Sequence, residues 1–199
     1  MAYNELTPTS FPANFMRDRQ KPLARLYERE PAAALISDGA RTVPGAFRAL
    51  DPVHGALSIG TSEALLAPCA IHSAVGGDHD GPNPGDYLCA ALVGCFDATL
   101  RIIANRMGIS LSDVFVEAQA EIDVRGTLCL TPTVPVGFQR IRLNAYIEAV
   151  PDTKSEALAA LISAAKHCCI VYRTLEGGVD IEFRLLDAEE YSRLAPLAG

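Results

Sequence analysis

The stretch GPNPGDYLCAALVGCFDATLRIIANRMG, from Gly81 to Gly108, decides how the rest of the chain is read. Asn83 stands as an N-cap, Pro84 takes the first helical position, where a missing N–H costs nothing, and Asp86 falls where a capping box places its acid. Gly108 supplies the stop. Between these ends Tyr87, Leu88, Ala91, Leu92, Val93, Phe96, Ala98, Leu100, Ile102, Ile103 and Met107 cover nearly the whole circumference, which predicts a long, buried central helix. Cys95 lies about three turns inside it, too far from the helix start for the end charge to act strongly on its thiol, because that effect fades within the first turn. A thiolate there needs a cation brought from elsewhere in the chain.

Working outward, the segment after the helix alternates. Val114, Val116, Ala118, Ala120, Ile122 and Val124 interleave with Asp113, Phe115, Glu117, Gln119, Glu121 and Asp123, which predicts a half-buried strand. Phe138–Ala149 alternates again, with Ile141, Leu143, Ala145 and Ile147 on one face, and an antiparallel pair is the natural reading. Asp152 or Thr153 would cap a helix through EALAALISAAKH, followed by a break and a shorter helix in CCIVYRTL. Val179, Ile181, Phe183 and Leu185 predict a last strand before a polar, helical tail. On the amino-terminal side, Ala32–Ile36, His54–Ile59 and Glu63–Ile71 are strand candidates, and residues 1–31 form an extension with one helix near Arg19–Arg29. The remainder, 32–199, reads as one domain. Strands, a long helix, two strands, a helix pair and a strand make the class α+β, not a βαβ series.

The chain has 199 residues, is 49% hydrophobic and 21% charged, and so can bury a substantial core. A net charge of -7 with a pI near 5.1 speaks against nucleic acid, whose phosphates require a clustered positive field. The first twenty residues lack the basic and apolar regions of a secretory signal, and no run of roughly 18 consecutive apolar residues stands out as a membrane span. The expectation is therefore a cytoplasmic protein without a membrane partner. No Gly-rich nucleotide fingerprint, P-loop or G-x-S-x-G is present, and no cofactor is expected. His72, Asp78, His79 and Asp80 crowd one Gly-rich loop, where such residues more commonly cap backbone groups than hold a metal.

Six cysteines, Cys69, Cys89, Cys95, Cys129, Cys168 and Cys169, show no zinc-knuckle spacing. Free cysteine packs as a small hydrophobe, so burial is the default role for each. Cys168 and Cys169 differ, because they follow the break after Lys166-His167 and begin a short helix whose free N–H groups favour a thiolate. Spacing alone does not choose between them.

NPGDYLCAALVGCFDATLRIIANRMGI, the strand ending in DVRG, PVGFQRI and KHCCIVYRTLEGGV together resemble the OsmC/Ohr superfamily of osmotically induced and organic-hydroperoxide-resistance proteins, over roughly residues 32–183. The resemblance implies antiparallel sheets wrapped around the central helix in an intertwined homodimer. It also implies a thiol-dependent peroxidase that takes an organic hydroperoxide as substrate and an external dithiol as reductant. Cys95 matches the peroxidatic cysteine. Cys169, and not Cys168, matches the resolving one, because Thr174-Leu175 lie at the family's distance after it. Arg41, in SDGART, falls in the hairpin whose arginine commonly organises the thiol. Two positions depart from the family pattern: its N-P-E turn is here Asn83-Pro84-Gly85-Asp86, leaving Asp86 as the local substitute for the glutamate, and the proline that often follows the second cysteine is Ile170.

On this reading a guanidinium near Cys95 offsets the rise in pKa that burial alone would impose. The thiolate attacks a hydroperoxide to give a sulfenic acid, Cys169 condenses with it, and the disulfide is reduced from outside. Apolar side chains around Tyr87, Leu92 and Phe96 would favour organic hydroperoxides. The alternative is a non-catalytic dimer of the same fold that binds a small apolar ligand or senses oxidants.

Overall fold

In the computed structural model, which describes residues 12, 14–60, 65–150, 153–181, 183–187, 189 and 191, the chain forms α1 (Phe15–Arg29), β1 (Ala40–Thr42), β2 (His54–Ile59), β3 (Leu65–Ala70), α2 (Pro84–Met107), β4 (Leu111–Ile122), α3 (Val124–Thr127), β5 (Phe138–Ala149), α4 (Ser155–Cys168) and α5 (Ile170–Gly177). The class is α+β. β1, β2 and β3 form an antiparallel sheet in that order, with Arg41 opposite Ser58 and Gly55 opposite Cys69. β4 and β5 pair in a second sheet. Its cross-strand links, Asn144 to Glu117 and Arg142 to Glu121, advance along one strand as they retreat along the other, the mark of an antiparallel pair.

Two compact units are distinguished by their internal contacts. One holds the described residues up to Ile36 with Leu92–Glu117 and Leu143–Gly177; the other holds Ser37–Ala91, Ala118–Arg142 and the described residues after Gly177. In the first, Phe96, Leu100, Ile103 and Ala104 of α2 pack with Leu161 and Ala165 of α4 and with Cys169. Leu100 and Leu161 are fully buried, each stabilising the fold by roughly 1.5–3 kcal/mol relative to exposure. α1 belongs to the same unit: Asn105 Oδ1 accepts the Met16 N–H at 2.8 Å, and Arg17 Nη2 donates to the Arg106 carbonyl at 2.6 Å, satisfying a free carbonyl at the end of α2.

The ends of α2 follow the capping chemistry of the sequence. Asn83 Oδ1 accepts the N–H groups of Gly85 (2.8 Å) and Asp86 (3.3 Å), while Asp86 Oδ2 reaches back to the Asn83 N–H at 2.9 Å. At the other end Gly108 adopts φ +72°, and the Ile109 N–H donates to the Ala104 carbonyl, as a Schellman closure requires. Burial of α2 is narrower than its composition suggests. Within one chain only Leu92, Phe96, Leu100, Ile103 and Ala104 are buried, a single stripe at helical spacing, and the remaining apolar positions are half-buried or exposed. By length and composition α2 is apolar enough to cross a membrane, although Asp97 and Arg101 interrupt it with a mutual ion pair at 2.9 Å.

Several expected elements differ. Ala32–Ile36 forms no strand: Pro31 starts a 3-10 turn over Pro31–Ala34, and a run of alanines brings neither β-branched side chains nor a pairing partner. Val124 leaves the strand for α3, because the Asp123 carboxylate accepts the Arg125 N–H and caps that turn. Thr153 does not cap α4; its hydroxyl donates to the Val150 carbonyl, and Lys154 holds the N-cap position without a side-chain bond. Asp152 and Glu63 lie outside the described residues, as does most of the tail. The last strand is also absent among the described residues: 178–181 and 183–187 form no regular structure, and Ile181 and Phe183 are 90% and 85% exposed. No strand among the described residues offers this alternating segment a ladder.

Candidate functional site

Cys95 and Thr99 are one turn apart on α2, at the i, i+4 spacing that places two side chains on one helix face. Opposite them the chain breaks between α4 and α5, which meet at 66°. Cys169 occupies the break, with φ −73° and ψ 113°, after the last residue of α4 and before the first of α5. Its carbonyl accepts the Arg173 N–H at 3.0 Å, the first intrahelical bond of α5. That leaves the N–H groups of Ile170, Val171 and Tyr172 free of helical partners.

All three point at sulfur. Ile170 and Val171 donate to Cys95, and Tyr172 donates to Cys169, so that the Cys169 thiol acts as a side-chain cap on α5. The Thr99 hydroxyl and the two thiols also lie within hydrogen-bonding reach of one another. Cys95 is half-buried and Cys169 fully buried. The ring of Tyr172 packs 6.4 Å from that of Phe96, and Lys166 Nζ stands 5.7 Å from the Tyr172 ring centroid.

The electrostatics of the two thiols diverge. Burial pushes Cys95 up, but the Val171 N–H, the Cys169 thiol, the Ile170 N–H and the Thr99 hydroxyl together hold it below the ordinary cysteine value. Burial also pushes Cys169 up; the Tyr172 N–H opposes this, and the neighbouring Cys95 adds to the rise. The arrangement therefore favours ionisation of Cys95 over that of Cys169, which is buried beside it. Hydrogen-bond donors and a helix start favour a thiolate in this way.

This corrects one part of the sequence reading. The start of the short helix favours the thiolate of Cys95, three turns inside a different helix, more than that of Cys169, because Cys169 is fully buried and the neighbouring Cys95 works against its ionisation. The sequence showed Thr99 only as the residue one turn after Cys95, and the three amides carry no residue-type signal at all. Cys168 is exposed at the end of α4, and Cys129 is exposed too. Burial and Asp86 push Cys89 up, despite an N–H from Ala120. Arg41 is exposed on β1, in the other compact unit, and the Asp86 carboxylate is engaged by Asn83 as a helix cap. Phe96 and Leu92 are buried, and the Tyr87 hydroxyl donates to the Pro68 carbonyl. Among the described residues no group of three metal-ligating side chains converges.

The pattern of the family described as OsmC-like protein matches residues 77–184. Among solved structures, an organic hydroperoxide resistance protein OsmC from Legionella pneumophila is 25% identical, with a TM-score of 0.54 covering 74% of this chain and 94% of that one. An organic hydroperoxide resistance protein from Elizabethkingia anophelis gives 21% identity and a TM-score of 0.55, covering 74% and 93%. An OsmC-like protein of unknown function from Vibrio cholerae gives 11% and 0.57, covering 71% and 95%. A Bacillus subtilis protein, described as the uncharacterized protein YmaD, is 22% identical over 130 residues, 62% of this chain and 81% of that protein.

Proposed function

Because this chain belongs to the OsmC-like family, we propose that it is a thiol-dependent peroxidase that reduces organic hydroperoxides with Cys95 and Cys169. The observation that carries the reading is the contact between a Cys95 sulfur held by the Ile170 and Val171 amides and a buried Cys169 thiol whose pKa is pushed up beside it. The 25% identity to a Legionella pneumophila organic hydroperoxide resistance protein supports the choice of oxidant.

In the first step the Cys95 thiolate attacks the distal oxygen of the hydroperoxide. An S–O bond forms, the O–O bond breaks, and the alkoxide takes a proton and leaves as the alcohol. The Cys169 sulfur then attacks the Cys95 sulfenic acid: the S–S bond forms, the S–O bond breaks, and water departs. Thiol–disulfide exchange with an external dithiol returns both thiols. The amides that favour the thiolate also favour the negative charge that builds on oxygen as the O–O bond opens.

In this reading Asp86 fixes the start of the helix that carries Cys95. The working form is a homodimer. Its support is the apolar surface that one chain leaves uncovered: the half-buried or exposed α2 positions outside the buried stripe, and the largely exposed alternating residues Val179, Ile181, Phe183 and Leu185.

The test is intact-mass analysis of the reduced protein after one equivalent of cumene hydroperoxide. The expected product has lost two hydrogens, is reset by a dithiol, and fails to form in Cys95→Ser. Survival of both thiols in the native protein, with the peroxide unconsumed, would remove the enzymatic reading and leave a binding or sensing dimer.

A further inference from the structure

α1 carries five basic side chains, Arg17, Arg19, Lys21, Arg25 and Arg29, against two acidic ones, Asp18 and Glu28, in a chain whose net charge is -7. Arg17, Lys21, Arg25 and Arg29 recur at every fourth residue and form one exposed row, each about 6 Å further along the helix axis than the last. Like charges at this spacing repel one another within a helix, and acids of the same chain would relieve them. That relief is missing. Ion pairs engage His54, Arg101, Arg125, Arg142 and Arg173, and among the described residues none reaches Lys21, Arg25 or Arg29. The Arg17 bond to the Arg106 carbonyl ties the start of the row to α2, while no residue of α1 is buried. Along the rest of the row runs a groove of about 620 Å³, lined by Lys21, Pro22, Arg25, Glu28 and Arg29.

We propose that the row of Arg17, Lys21, Arg25 and Arg29 on α1 is a docking surface for an acidic segment of a partner protein, bound in extended conformation. Alternate residues of an extended chain stand about 6.6 Å apart on one side, so carboxylates at every second position meet successive cations of the row over its length of about 18 Å. A lipid surface fits less well, because Leu23 is the one large apolar side chain of α1 that is largely exposed. A nucleic acid fits less well too: its phosphates continue past the row and face a chain that is acidic elsewhere, whereas a short segment ends within about one Debye length, about 8 Å, of the cations. Exposed pairs of this kind are individually weak and screened by salt, which makes the complex transient. The surface does not depend on the thiol chemistry.

The experiment titrates the full-length protein into a fluorescein-labelled peptide, Glu-Ser-Glu-Ser-Glu-Ser-Glu, and reads anisotropy at about 20 mM and about 300 mM NaCl, where screening differs most. The wild-type chain should bind at low salt and lose at least about tenfold in affinity at high salt. The triple variant Lys21→Gln, Arg25→Gln, Arg29→Gln should bind at least about tenfold more weakly at low salt, with an unchanged or slightly raised melting temperature because the repulsion along the row is gone. Arg17 is kept, since its guanidinium also holds α1 to α2. Arg25→Gln alone should show an intermediate loss and serves if the triple variant fails to fold. A peptide of the same composition with its four glutamates contiguous should bind more weakly than the alternating one. Absence of binding at low salt overturns the proposal, as does equal affinity in wild type and the variants. Equal affinity for the two peptides overturns the extended geometry. Tighter binding to an oligothymidylate of equal charge, or to phosphatidylglycerol vesicles, with the same loss in the triple variant, overturns the choice of a protein segment.

Discussion

The main-chain N–H of Val171, in the first turn of α5, donates to the sulfur of Cys95, which sits three turns into α2. A thiol remote from the start of its own helix thus uses the start of another. The Ile170 N–H adds a second bond, and it exists only because this position is not proline. Cys169 already has the extended φ and ψ that precede proline comfortably, the first helical position tolerates proline, and the Ile170 side chain is 71% exposed. Ile170→Pro therefore subtracts a single donor and little else. Alkylation of Cys95 by iodoacetamide should follow a pH profile whose inflection lies below the ordinary cysteine value, since a depressed pKa leaves the thiolate populated at lower pH. In Ile170→Pro that inflection should move up, and the rate at neutral pH should fall on the order of tenfold, the scale of a hydrogen bond to a charged group. Superimposable profiles would deny the amide its role.

Cys169 has a structural duty beside its proposed chemical one, because its sulfur accepts the Tyr172 N–H and caps α5. Serine is a good cap and alanine is not. Cys169→Ser should stay within about 1 kcal/mol of wild type in urea denaturation, whereas Cys169→Ala should lose about 1–2 kcal/mol from the missing cap and the small void. Both should lack the disulfide, and with excess peroxide both should carry Cys95 on to the sulfinic acid. Equal stabilities for the two variants would mean the cap contributes nothing.

How much of this was legible depends on where the information resides. The α2 caps, the β4 and β5 alternation and the break after α4 are written in residue types, and the structure follows them closely. Cys95 and Cys169 were identified by resemblance, and the fold then brought their sulfurs together. The amides of Ile170, Val171 and Tyr172 were invisible, since every residue but proline has one and only the 66° bend aims them. The segment Val179–Leu185 failed in a different way: its alternation is genuine, but a strand is defined by a neighbour, and period alone does not supply one. Likewise the all-round apolar character of α2 was read correctly as composition, while a single chain covers just one stripe of it.

His54 gives a pH dependence independent of the thiols. Its Nδ1 lies 3.0 Å from Asp51 Oδ2 and its Nε2 3.2 Å from Asp80 Oδ2, so both ring nitrogens face carboxylates. The bond to Asp51 raises its pKa, burial opposes this, and Asp80 adds to the rise. A raised value means that the charged ring stabilises the fold fully below the unfolded value near 6.5, and that this contribution is lost as pH climbs through the folded value. Asp51 is depressed, chiefly by the Val53 N–H and His54, so its share fades at the acid end as pH falls below its ordinary 3.8. The melting temperature of wild type minus that of His54→Gln should be largest between these limits and shrink above pH 6.5. A difference that grows with pH would contradict the charged assignment.

The loop bearing Asp78 and Asp80 is held against the backbone of Ile71, and Gly77 is the point of closest approach. A Cβ at Gly77 would stand 2.1 Å from the Ile71 carbonyl oxygen, the same oxygen that accepts the His79 N–H at 3.1 Å. Neither backbone can yield without shifting the loop. Gly76 differs: it adopts φ +91° with open space around it, so an added methyl meets only conformational cost. Gly77→Ala should accordingly destabilise by about 1–3 kcal/mol, the usual cost of forced overpacking, and Gly76→Ala by about 1 kcal/mol, the cost of a left-handed L residue. Because the displaced loop carries Asp80 away from His54, Gly77→Ala should also flatten the pH dependence of the melting temperature, whereas Gly76→Ala should leave its shape intact. Urea denaturation and melting across pH 5 to 8 measure both effects, and a Gly77→Ala protein with the wild-type midpoint and pH profile would show that the loop is not pinned at Ile71.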